Sequence, residues 1–290
     1  MKCTNFANSL NMNGKTFKMN TDISLIIAVY NNMHWLKMIF AMLQKQSFKN
    51  FEVVIADDGS SPENVREMDE MAGKASFPVQ HVWHEDKGWR KDIILNKAVV
   101  ASKSEYLVFL DGDCIPDKNF IKDHYNLRKK GYVIAGKRVQ LTQEISDKLT
   151  PELVERGYLR SQFLTLLCSK ERHTENVIRI PLRLRMGLIK PKKGLLLGCN
   201  FGIYKEDLLK VNGFDERYLA PATGEDTDLE ARLKRVGIPV LRYNFICRVY
   251  HRKHKRKEIP SSNGSIFEEN NRLQVGYTPY GIDQSGLSNK

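Results

Sequence analysis

Tyr106-Leu-Val-Phe-Leu110-Asp111-Gly-Asp113 is the stretch whose reading decides the fold. Its apolar run carries no polar break, as a strand buried on both faces of a parallel sheet requires. The two carboxylates that follow stand one residue apart. Both can face one hard cation, Mg²⁺ or Mn²⁺, and leave its other positions open to phosphate oxygens. Working outward, Ser24-Leu-Ile-Ile-Ala-Val-Tyr30 and Phe51-Glu-Val-Val-Ile-Ala56 are runs of the same kind, and Val79-Gln-His-Val-Trp83 is a shorter one. Helical spacing fills the gaps. Trp35, Leu36, Ile39, Met42 and Leu43 follow a cap at Asn31 or Asn32, Ser61-Pro62 opens a second helix, and residues 91–102 read as a third.

Four strand–helix units with short connections predict an α/β fold, a Rossmann-like and mostly parallel sheet with helices on both faces. Such sheets bind ligands beyond the carboxyl ends of their strands. The polar residues gather there: Tyr30-Asn31, Asp57-Asp58, the segment 84–90 and Asp111-Gly-Asp113. The second half is less regular. Its spacing predicts a helix over 117–130 capped by Gly131, a strand over 132–139 and a strand-like segment over 195–204. A helix over 225–236 ended by Gly237 and short strands over 239–243 and 246–250 follow.

Composition narrows the class. The chain has 290 residues and is 41% hydrophobic, which excludes general disorder. No apolar run approaches the roughly 18–20 residues of a membrane span, and the first twenty residues show no secretory signal. Five scattered cysteines fit free thiols in a reducing, cytoplasmic setting. The net charge of +12 favours polyanionic partners, and it is concentrated. Residues 156–193 hold ten Lys or Arg against Glu171 and Glu175, and His251-Arg-Lys-His-Lys-Arg-Lys257 follows. A nucleic-acid binder is the obvious rival, yet no reading module is present and an acidic crevice would repel phosphate without a metal.

Three further motifs carry chemistry. Asp57-Asp-Gly-Ser60 suits a base or a ribose, because a carboxylate accepts the imide hydrogen of uracil, which cytosine lacks. In His84-Glu-Asp-Lys-Gly-Trp-Arg90, Lys87 and Arg90 bracket a glycine at which backbone can approach a diphosphate. Gly224-Glu-Asp-Thr-Asp228 places three acids at a helix entrance, more than dipole capping needs, and one of them can act as a general base.

Taken in order, residues 24–31, 57–60, 111–113 and 224–228 resemble the family 2 inverting glycosyltransferases of the GT-A fold. Lys87-Gly-Trp-Arg90, Leu197-Gly-Cys-Asn200, Gly213-Phe-Asp215 and Tyr250-His251 narrow the likeness to the subgroup of bacterial chondroitin polymerases and galactosyltransferase-like domains. The resemblance implies that Ala28 and Tyr30 flank the base and that Asp58 bonds the uracil. It assigns Arg90 to the diphosphate beside the Lys87 already read as facing it, Asp111 to the ribose and metal, and Asp113 and His251 to the metal, Mn²⁺ or Mg²⁺. Asp226 matches the general base, with Glu225 positioning the acceptor and Gly198 and Asn200 lining the sugar and acceptor site.

The implied reaction moves a hexose or N-acetylhexosamine from a UDP-sugar, with inversion, to a saccharide or glycolipid in surface polysaccharide or lipopolysaccharide assembly. The alternative is a non-catalytic protein that binds carbohydrate or nucleic acid through its basic surface. One domain is expected over 22–255, divided into a nucleotide-binding half, 22–116, and an acceptor-binding half, 117–255. A polar leader, 1–21, and a mobile basic and polar tail, 256–290, flank it. The basic stretch is read as touching an anionic acceptor or the anionic inner face of a membrane, peripherally.

Overall fold

The computed structural model describes residues 21–180, 191–221, 224–254 and 261–284. Strands β1 (Ile23–Val29), β2 (Phe51–Asp57), β3 (Val79–Trp83) and β4 (Tyr106–Asp111) pair in parallel in the order β3-β2-β1-β4. Their runs of Ile, Val and Leu lie in two cores, one on each face of the sheet, because helices cover both sides. Met33–Gln44 packs Trp35, Leu36 and Ile39 into one core, and Lys91–Ala101 packs Ile94, Leu95 and Ala98 into the other. The helix Pro62–Gly73 begins as its sequence requires: Ser61 Oγ accepts from Asn64 N–H and Pro62 stands at the first position.

Beyond β4 the regularity ends. β5 (Cys114–Pro116), β6 (Val133–Ala135) and β7 (Arg138–Gln140) come next, then β8 (Lys192–Lys193), β9 (Asn200–Tyr204), β10 (Val240–Arg242) and β11 (Val249–His251). The main sheet continues β4-β9-β6-β10-β8, with β9 antiparallel to both its neighbours. A small sheet, β5-β11-β7, stands beside it.

Several expectations change here. The strand expected over 132–139 is two strands in two sheets. Between them lies Gly136, where a Cβ would sit 2.4 Å from the Cys247 carbonyl oxygen. The helix expected over 117–130 spans Phe120–Leu127, and the strand-like segment over 195–204 pairs from Asn200 onward.

The expected mobile tail is corrected over 261–284. The helix Ser261–Arg272 and the turn after it are tied down by polar groups. Asn270 Nδ2 donates to Asp228 Oδ1 at 2.8 Å, Thr278 Oγ1 donates to Asp215 Oδ2 at 2.9 Å, and Asn212 Nδ2 donates to the Thr278 carbonyl. The leader up to residue 20 and the remaining tail residues lie outside the described residues.

Candidate active site

The carboxyl ends of β1, β2 and β4 open onto one cleft of about 1200 Å³. On its floor, Gly112 N–H donates to the Ala28 carbonyl, and a Cβ on Gly112 would sit 2.7 Å from that oxygen. Glycine is therefore what lets β4 turn its two aspartates into the cleft. Ala28 and Tyr30 line the nucleotide side, and the Tyr30 ring is half exposed, its hydroxyl donating to Asp86 at 2.9 Å.

Asp58 is buried beside them. It accepts from His84 Nε2 at 2.7 Å and from Arg90 N–H at 2.9 Å, which fixes its carboxylate in place. The loop 84–90 therefore serves the cleft through His84 and a backbone amide. Its two expected cations are elsewhere: Lys87 pairs with Glu85 at 3.4 Å, and the Arg90 guanidinium turns back to the Glu85 carbonyl. A cation that does line the cleft beside Asp111 is Lys91, whose ammonium is 2.7 Å from Asp111 Oδ1. Burial would lower its pKa, but Asp111 and Glu225 hold it above the ordinary lysine value. The next residue, Asp92, is fully buried with neither carboxylate oxygen hydrogen-bonded. Burial, reinforced by Glu225 against the pull of Lys91, pushes its pKa well above the ordinary aspartate value.

Asp111 and Asp113 take different partners. Asp113 Oδ2 lies 3.5 Å from His251 Nε2 and 3.4 Å from His254 Nε2. One ligand atom from each of these three residues falls within 4.8 Å of the others. Strand β11 delivers His251, and the segment just after it delivers His254, which in the sequence stands inside the charge run 251–257. Burial would raise the Asp113 carboxyl, but a hydrogen bond from His254 and the charge of the two imidazoles when protonated hold it at about 2. Burial lowers the pKa of His251 below its ordinary value, against the pull of Asp113. Its Nδ1 faces Gln140 Oε1 at 3.1 Å, so in the neutral ring Nδ1 carries the hydrogen and the Nε2 lone pair turns to Asp113. A bare lone pair and a carboxylate facing each other are a donor set for a divalent cation, and the cluster fits one.

Across the cleft stands the helix Glu225–Arg235. Gly224, at φ +125°, turns the chain into it. Asp226 accepts from Gly198 N–H at 3.2 Å and remains partly exposed. Glu225 is more enclosed, with Oε2 buried and unbonded. Burial, then the neighbouring Asp226, raises its pKa against the pull of Lys91. Gly198 lines the cleft as expected. Asn200 does not. It is fully buried, donating to the Cys247 and Lys137 carbonyls and accepting from His124.

This architecture and cleft are those of the GT-A class of fold. Residues 24–208 match the profile of Glycosyl transferase family 2, and residues 191–255 match that described as the N-terminal domain of galactosyltransferase. The chain belongs to glycosyl transferase family 2.

Chondroitin synthase of Escherichia coli is 23% identical over 236 residues, 74% of this chain and 32% of that protein. The chain covers about a quarter to a third of the length of three curated relatives that it matches. Among solved structures, Staphylococcus aureus TarS in complex with UDP-GlcNAc superposes with a TM-score of 0.56 at 16% identity, covering 88% of this chain and 65% of TarS. The mannosyltransferase PcManGT of Pyrobaculum calidifontis, in complex with GDP-Man and Mn²⁺, gives 0.52 at 15% identity over 82% of this chain and 58% of its own. No helix among the described residues is long and apolar enough to cross a membrane.

Proposed function

We propose that the protein is an inverting glycosyltransferase, moving a hexose or N-acetylhexosamine from a UDP-sugar to a saccharide or glycolipid acceptor of a surface polysaccharide or lipopolysaccharide. The observation that carries this is the division of the cleft. A metal-type cluster (Asp113, His251, His254) stands on one side, and a partly exposed carboxylate held by a backbone amide (Asp226) stands on the other.

Each residue then has a task. Asp58, its carboxylate fixed by His84 and the Arg90 amide, accepts the imide hydrogen of uracil, and the exposed Tyr30 ring lies against the base. Asp113, His251 and His254 hold the cation, and two imidazoles in the set favour Mn²⁺ over Mg²⁺. When bound, that ion supplies charge compensation to the leaving diphosphate. Lys91, next to Asp111, adds a fixed positive charge on the same side. Asp226 takes the proton of the acceptor hydroxyl as its oxygen attacks the anomeric carbon from the face opposite UDP, which inverts the configuration.

The test is UDP release from a panel of UDP-sugars, with the anomeric configuration of the product read by NMR. Release that needs Mn²⁺ and fails in Asp113→Ala is expected. Release untouched by chelator, or a retained configuration, overturns the reading.

A further inference from the structure

We infer that the acceptor is an anionic saccharide, carrying a carboxylate or phosphate close to its reacting hydroxyl. This rests on the reading of Asp226 as the general base, since the acceptor must come to that residue.

The wall beside Asp226 shows what it can receive. Asp226 touches Gly198, and the next residue, buried Cys199, has the Arg138 side chain against its sulfur. Arg138 is half-buried on β7 and forms no ion pair with any carboxylate among the described residues. Lys170 and Arg172 line the same cleft, exposed, and are likewise without an acidic partner among the described residues. The acid between them, Glu171, is engaged by Lys253. Just outside, burial and then the crowding of Arg242, Arg138 and Lys192 lower the pKa of Lys137 against the pull of Glu175. The cations here are in excess, and they adjoin one another.

On the nucleotide side stand Asp58, Asp111 and Asp113, and the lysine among them is paired with Asp111. Arg138, by contrast, has no carboxylate within ion-pair distance among the described residues, although Asp113 lies near enough to favour its charge. An arriving carboxylate or phosphate would supply the short ion pair that Arg138 lacks. The planar Arg fork suits either anion, and the surrounding potential draws it in. A neutral acceptor would leave the whole row uncompensated.

The experiment measures binding by calorimetry on the full chain, without donor. The probes are a hexasaccharide of alternating glucuronate and N-acetylgalactosamine, the same oligosaccharide with its carboxyls reduced to alcohols, and the reduced form bearing phosphate monoesters. One acidic probe should bind about tenfold tighter than the reduced one, the scale of a few partly exposed ion pairs. Which acid binds names the source. The advantage should shrink as salt rises from about 0.05 M to about 0.5 M. In Arg138→Gln with Arg172→Gln the acidic-to-neutral ratio should fall towards one, and the salt series on the unaltered chain tests the same point if that variant does not fold. Equal binding of all three probes overturns the inference. So does a variant that weakens UDP binding while keeping the ratio, because the cations would then serve the donor diphosphate. Donor turnover is read separately: UDP release with equal probe binding removes this inference alone, whereas selective acid binding without any UDP release removes the enzymatic reading alone.

Discussion

At the residue scale, Asp226 is the sharpest assignment to test. Asp226→Asn keeps the size and the Gly198 amide contact but cannot take a proton. Turnover should fall by about 10²–10⁴-fold, the range of a lost general base, while UDP-sugar affinity changes little. Calorimetry for the donor and steady-state kinetics for transfer check this. Lost donor affinity with turnover intact at saturation would make Asp226 a binding residue. Asp113 and Asp226 were legible in the sequence because each sits at the end of its own element, where local pattern fixes its position. Lys91, His254 and Arg138 were not. Lys91 stands one residue past the charged loop 84–90, and the other two gain their meaning from segments far away in the chain.

Elements show where the pattern fails. The last segment looked mobile because it offers few apolar residues, yet its helix Ser261–Arg272 is held by amide and hydroxyl groups that reach buried carboxylates. Hydrophobic periodicity cannot see such bonds. Asn270→Ala leaves Asp228 Oδ1 buried without its amide donor and should cost about 1–3 kcal/mol. A Tm identical to that of the unaltered chain would show that the bond contributes nothing. Since Asp228 also binds Arg232 at 2.6 Å within the helix that carries Asp226, this network anchors one side of the cleft.

The helix Phe120–Leu127 makes a pH-dependent case. His124 is buried, gives Nε2–H to Asn200 Oδ1 at 3.2 Å, and has Nδ1 without a partner. Burial pulls its pKa from 6.5 down to about 4. The unfolded chain therefore binds the extra proton first as pH falls. The stabilisation from neutral His124 is complete above 6.5 and is lost on the way down to about 4. Thermal unfolding across that window should show a shallower loss of Tm in His124→Gln, and parallel curves for the two proteins would refute it.

For the whole molecule, the question is where twelve excess positive charges go. The cleft accounts for some. Arg156 and Arg160 lie outside it, exposed, in a succession of short helices that also exposes Phe163 and Leu164, the latter 69% accessible. Arg183, Arg185 and Lys190 of the same basic stretch lie outside the described residues. Apolar side chains left bare among cations suit the boundary of an anionic bilayer, where each Lys or Arg adds about 1 kcal/mol and the apolar groups enter the headgroup layer. Co-sedimentation with vesicles rich in phosphatidylglycerol should exceed that with phosphatidylcholine. The difference should fade as the Debye length shrinks from about 10 Å at about 0.1 M salt to about 3 Å at about 1 M. Phe163→Gln with Leu164→Gln should lower binding at both salt levels, because the apolar part is not screened. Equal sedimentation with both vesicles would assign the surplus charge to the acceptor alone, and a double variant that binds like the unaltered chain would leave the apolar pair without a role at the bilayer.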